Sequence, residues 1–199
     1  MKDLSEAKQE LIKSLVKEKK FHQLEFEVNS LLLEKRSPFL LNLLGVSKIS
    51  KVPTSKKDLN ESLDLFKEAY LKDRTLIDAL FNYAEISIRL LKYDEAKDLL
   101  IEYLSKKKYD YKATLALARI HFYLGNMDDC LLNYKKIIDN NEANSKLWSA
   151  FLFTTNYTYK YSQKDYLNFC NKYSEKLEKF DEKILKKFQY EKNPKKIRL

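Results

Sequence analysis

Apolar residues recur every three or four positions along most of this chain, and a longer rhythm lies over the short one. Leu11, Ile12 and Leu15 form one apolar stripe, Leu24, Val28 and Leu31 a second, and Tyr166, Phe169, Tyr173, Leu177 and Phe180 a third. Such spacing predicts amphipathic helices, each with one face turned to a core. Shifting the chain against itself by 34 residues brings Ser62, Ala96 and Cys130 into one column, Phe66, Leu100 and Tyr134 into another, and Ala69, Tyr103 and Ile137 into a third. In the helices just before these, Ala79, Ala113 and Leu147 align, as do Tyr83 with Leu117 and Ala84 with Ala118. Independent columns agreeing at one period mark an internal repeat of helix pairs.

The small columns explain how a pair closes. Ala84 with Ala96, and Ala118 with Cys130, supply the short side chains that two crossing helices need, while larger neighbours fill the groove to the next unit. The units read as pairs over 4–36, 38–74, 75–108 and 109–142, with 143–158, around Trp148, opening another. Gly45 to Ser62 takes 17 steps where the later pairs take 12, so about five extra residues belong to the turn around Lys51–Lys57, which holds Pro53 and Ser55. Gly125 sits at a turn where a left-handed residue ends a helix. After a loop over 159–162, Ser162 and Asp165 are spaced as a capping box for a terminal helix. Repeats are expected over 1–158, with a capping helix and linker over 159–199.

Composition narrows the function classes. Two glycines and three prolines are too few for a turn-rich β fold, and neither glycine belongs to a phosphate-cradling cluster. Cys130 and Cys170 have no metal or redox spacing, and with only two histidines besides, no metal site is expected. They read as reduced thiols in a cytoplasmic protein. No signal peptide and no membrane span are read from the sequence. The formal charge of +9 comes from lysines spread along every helix among Asp and Glu, which reads as solvated helix faces and not as a nucleic-acid surface.

The columns of small and large residues resemble the tetratricopeptide repeat. Its Leu-Gly pair is present as Leu44-Gly45, and its second-helix pattern as Ser62-x-x-x-Phe66-x-x-Ala69. The proline that often closes the repeat is replaced by Arg74, Lys108 and Glu142. The resemblance implies an all-α tetratricopeptide-type solenoid, a right-handed superhelix of antiparallel helix pairs with a C-terminal capping helix.

A second resemblance concerns the last 50 or so residues. Trp148 to Tyr157, Ser162 to Tyr166 and Lys172 to Phe180 resemble the segment that joins tetratricopeptide repeats to the catalytic region in bacterial relatives of the O-linked N-acetylglucosamine transferases. Cys170 stands where those relatives usually have His, and Tyr173 where they have Trp. The basic stretch Glu191–Lys196 corresponds to the run that leads into their first catalytic strand. The resemblance implies a substrate-recognition arm, a downstream catalytic domain absent from this chain, and a nucleotide-sugar donor used by that domain. The chain itself is expected to need no cofactor and to hold no catalytic residue.

Three side chains are candidates for contact with a peptide. Asn82 stands where that family places asparagines that hold a peptide backbone, because an amide both donates and accepts. The same place is Ala116 and Ala150 in the next units, and Asn42 is one position off. Lys112 fits one position of a carboxylate clamp, although Ala116 occupies the place where Arg is wanted. His121 is assigned to the first-helix row of the concave face. The expected partner is a protein or extended peptide held on that face. The alternative to a transferase arm is a free-standing adaptor that joins proteins through the same surface. Glu191–Leu199 carries little apolar surface and is expected to be mobile.

Overall fold

The computed structural model describes residues 5–185, with side chains described through Lys176. Its described residues form ten α-helices and no strand: α1 (Glu6–Lys17), α2 (Phe21–Glu34), α3 (Pro38–Ile49), α4 (Lys56–Lys72), α5 (Ile77–Arg89), α6 (Tyr93–Lys106), α7 (Tyr111–Tyr123), α8 (Met127–Asp139), α9 (Ser145–Thr155) and α10 (Gln163–Leu185). Leu177 and Phe180, assigned above to the terminal helix stripe, lie outside the described side chains, and the segment Glu191–Leu199 lies outside the described residues.

Local chemistry sets the helix ends. Ser37, Asp110 and Asn144 each accept a hydrogen bond from a backbone N–H of the first turn of α3, α7 and α9. Ser55 and Asp58 form a reciprocal capping box on α4, and Ser162 and Asp165 make the same exchange at the start of α10. Helices α1, α5, α7 and α8 end where the backbone turns left-handed, at Lys19, Leu91, Gly125 and Asn141. Leu91 and Gly125 are 34 residues apart, so the turn geometry repeats even where glycine does not.

The chain divides into two compact units, Met1–Asn126 and Met127–Leu199. The division by packing falls inside the fourth sequence pair and concerns compactness, not repeat period. In the first unit each helix packs on the next, from α1 through α7. Ala69, Ala79, Ala84, Ala96 and Ala113 are wholly buried around Leu80 and Leu100. The short side chains let the helices approach closely enough for the large ones to interlock. Ile12, Leu15, Leu24, Val28 and Leu31 gather with Leu40, Leu43 and Leu44 into a second cluster at the N-terminal end.

The five extra residues fall between α3 and α4, as the repeat spacing requires. This turn is held by charge. Lys48 and Lys51 bridge Glu25 of α2 at 3.0 and 2.9 Å, and reach Glu61 and Asp58 of α4 at 2.6 and 3.2 Å. These side chains are largely shielded, so the pairs are screened less than ordinary surface pairs.

In the second unit α8 packs on α9 and α9 on α10. Cys130, Leu131 and Ile137 of α8 and Phe151 of α9 are buried. The terminal helix is joined through aromatic contacts. Tyr173 stacks on Trp148 with centroids 5.8 Å apart, Phe169 meets Phe151 edge-on at 5.0 Å, and the Lys176 ammonium lies 5.6 Å from the Trp148 ring.

Candidate peptide-binding face

The first helices of the pairs in residues 1–126 carry a row of side chains turned away from the core. On α5 the row is Asp78, Asn82, Glu85 and Arg89, none of them fully buried. On α7 it is Lys112, Ala116, Arg119 and Tyr123. Steps of three and four residues keep each set on one side of its helix. The two rows are related by the 34-residue period, so Asp78 corresponds to Lys112 and Glu85 to Arg119. The repeat preserves the position while reversing the charge.

Asn82 meets Asn42. Its Nδ2 donates to the Asn42 Oδ1 at 2.9 Å, linking α5 to α3, and both residues are only half-buried. Each amide keeps further hydrogen-bonding capacity beyond the shared bond, acceptor on Asn82 and donor on Asn42. The contact was hidden in the sequence by the insertion between α3 and α4. That insertion shifts the α3 register by five residues relative to the 34-residue period, and once it is allowed for Asn42 still stands one position out of column. The two short amides nevertheless meet between α3 and α5.

Glu85 lies one turn along from Asn82. It makes no hydrogen bond or ion pair with another described residue. Burial raises its carboxyl above the usual range, against the pull of Lys112, Arg89 and Arg119. Lys112 and Arg119 are exposed and enter no ion pair with another described residue, whereas many other lysines of the first unit do.

His121 is elsewhere. It is 8% exposed and belongs to the buried stripe of α7 with Thr114, Leu117 and Ala118. It lies nine residues after Lys112, which at about 100° per residue places it on the opposite side of α7. The assignment of His121 to the same row as Asn82 and Lys112 is therefore corrected: the structure brings Asn82 and Lys112 onto one face, flanking Glu85, and turns His121 to the core. The spacing of nine already contained this result.

Two further features have structural explanations. Burial pushes the Cys130 thiol up to about 11, an unreactive state held among Thr154 and Tyr134. A cavity of about 310 Å³ in the second unit is lined by Thr155, Asn156, Thr158, Tyr161, Ser162, Gln163 and Tyr166. Most of its polar groups are engaged within the chain: Thr155 with Leu152, Thr158 with Asp128, Ser162 with Asp165 and Tyr166 with Cys170. Among the described residues no cluster of His, Cys, Asp or Glu could hold a metal ion, and no helix is long and apolar enough to cross a membrane.

No family model matches the chain, and no curated protein matches it in sequence. Solved structures do resemble it. MamA from residue 41 to its end, from Desulfovibrio magneticus RS-1, superposes with a TM-score of 0.71 at 14% identity, covering 88% of this chain and 96% of that one. A crystal structure of MamA protein gives 0.72 at 15% identity over 94% and 97%. A structure of MamA AMB-1 gives 0.73 at 14% over 92% and 97%. The fold is an all-α helical repeat of the tetratricopeptide type. At these identities the likeness establishes architecture alone. None of these neighbours is described as a glycosyltransferase, and the transferase context expected from residues 148–180 gains no support from them.

Proposed function

We propose that this chain is a protein-interaction scaffold that holds an extended peptide segment on the first-helix face of residues 1–126. The observation that carries the reading is the half-exposed Asn42–Asn82 amide pair bridging α3 and α5. An extended backbone presents N–H and C=O groups in alternation, and a paired amide with donor and acceptor capacity to spare can meet both without reading side chains. The reading as an adaptor that joins proteins is favoured over that of a transferase arm, which rests only on the junction-like residues around Trp148.

The test is a panel of immobilised random dodecapeptides probed with the whole chain and with the Asn42→Ala/Asn82→Ala double variant. The wild type should retain a subset of peptides that the variant releases, with the two proteins melting within a few degrees of each other. Equal retention by both would remove the amide pair from the site, and no retention by either would remove the scaffold reading.

A further inference from the structure

The second unit holds a wall of neutral polar groups. Its cavity of about 310 Å³ is made by the end of α9, the loop that follows and the first turn of α10, and every residue lining it bears a hydroxyl or an amide. None is charged, in a chain where charged residues make up 34%. Lys160, Lys164 and Asp165 interleave with the lining residues in sequence and yet do not line the cavity. An ionic ligand would therefore lose water there without meeting an opposite charge. The bonds within the chain hold this wall without saturating it. Thr155, Thr158 and Ser162 direct their hydroxyl hydrogens to Leu152, Asp128 and Asp165, and the Asn156 amide donates to the carbonyls of Leu152 and Phe153. What remains is the Asn156 Oδ1 as an acceptor, with the Gln163 amide and the Tyr161 hydroxyl, which make no hydrogen bond to another described residue and can each donate and accept. The Tyr161 ring is fixed edge-on against Phe169 at 5.2 Å. Tyr161 and Tyr166 add aromatic surface to the lining, and the same loop carries Tyr159, a fully exposed ring between Thr158 and Tyr161.

From this lining we propose that the second unit binds a neutral saccharide, one hexopyranose ring held against Asn156, Tyr161 and Gln163. A pyranose has a rim of hydroxyls, each a donor and an acceptor, and a face of C–H groups. The rim matches the uncommitted amide and hydroxyl groups, and the C–H face matches a tyrosine ring, whose negative π face attracts polarised hydrogens. The volume is at the small end for a ligand pocket and suits a single ring. The start of α10 does not turn the site towards anions: Asp165 in the first turn offsets the positive helix end and caps it with Ser162. The proposal uses no residue of the first-helix face, so its test and that of the scaffold reading fail independently.

The experiment is amide chemical-shift mapping by NMR on the full chain, titrated with glucose, galactose and mannose, with the methyl glycoside of each, and with glucuronate and glycerol. At least one neutral hexose should move the amides of residues 155–166 saturably, with a dissociation constant of about 1 mM, the strength expected of so small a ligand. Glucuronate should bind at least fivefold more weakly. Tyr161→Phe/Gln163→Ala, which removes one hydroxyl and one amide and keeps the ring on Phe169, should weaken the hexose at least fivefold. The same deletions on exposed residues of the first unit, Gln23→Ala/Tyr123→Phe, should leave it unchanged. Equal binding of a hexose and its methyl glycoside supports a ring at the end of a glycan, and loss on methylation supports a free sugar. No saturable shift at tenfold above the expected constant overturns the proposal. So does glycerol or glucuronate moving the same amides as strongly as the hexose, or a hexose response that Tyr161→Phe/Gln163→Ala leaves intact.

Discussion

Gly45 of α3 lies directly beneath the ring of Phe66 on α4. A methyl group added at Gly45 would sit 2.5 Å from the Phe66 Cε1, closer than two carbons can approach. Phe66 is wholly buried, and Ser62, one turn earlier on α4, donates its hydroxyl to the Gly45 carbonyl at 3.2 Å. The glycine is there for close helix approach and not for a turn, since it sits inside a regular helix. Gly45→Ala should destabilise the fold by about 1–3 kcal/mol through overpacking. Urea unfolding measures it. Combining Gly45→Ala with Phe66→Leu should recover part of the loss, and a double variant weaker than the sum of the two single changes would count against the contact.

Leu91 adopts a left-handed backbone with φ of 61° while its side chain is 70% exposed. An L-residue in that region costs roughly 1–2 kcal/mol, and an exposed leucine contributes little packing to offset it. Leu91→Gly should raise stability by about 0.5–1 kcal/mol, although glycine loses more chain entropy on folding. At the equivalent turn Gly125 has φ of 79° and open space where a side chain would go. Gly125→Ala should therefore cost about 1 kcal/mol through backbone strain alone. Thermal melts of the two variants should move in opposite directions.

The turn between α3 and α4 predicts a response to acid. Hydrogen bonds from the Ser55 side chain and backbone, with Lys51 beside them, hold the Asp58 carboxyl at about 2. Burial works against ionisation of Glu25, yet Lys51 and Lys48 keep it below the usual range. A depressed folded-state value means that the stabilisation is complete above the unfolded value, near pH 4, and is lost as pH falls towards about 2. Asp58→Asn should lower the urea midpoint at pH 6, and the difference from wild type should shrink steadily below pH 4. A difference that stays constant down to pH 2 would show that Asp58 acts only as a neutral cap.

Trp148, the single tryptophan, reports on how α10 joins α9. It is 3% exposed and stacked under Tyr173. Removing the stack should cost about 0.5–1.5 kcal/mol beyond the lost buried area. In Tyr173→Ala the indole emission should shift to the red and amide exchange in α10 should quicken, with the first unit unaffected. Unchanged emission would mean that other contacts hold the helix in place.

The sequence alone was enough for the repeat. Period-34 columns of small and large residues depend only on which side chains can be buried at a helix crossing, and Ala84, Ala96, Ala118 and Cys130 are all fully buried as that periodicity requires. The insertion after Gly45 and the capping serine at 162 were legible for the same reason: both are local features of spacing and hydrogen-bonding chemistry. The candidate face was only partly legible. Asn82 and Lys112 stood out by column, but their setting depended on neighbours from other helices. Asn42 reaches Asn82 across a register shift that column matching treats as a mismatch. Glu85 is partly removed from water on α5, and the charges of Lys112 and Arg119 act on it only because α7 packs into the same unit. His121 belongs to the core because of its angle around α7, while a repeat alignment records only position along the chain. Periodicity is written into single helices; pairing between side chains of different helices exists only once the chain has packed.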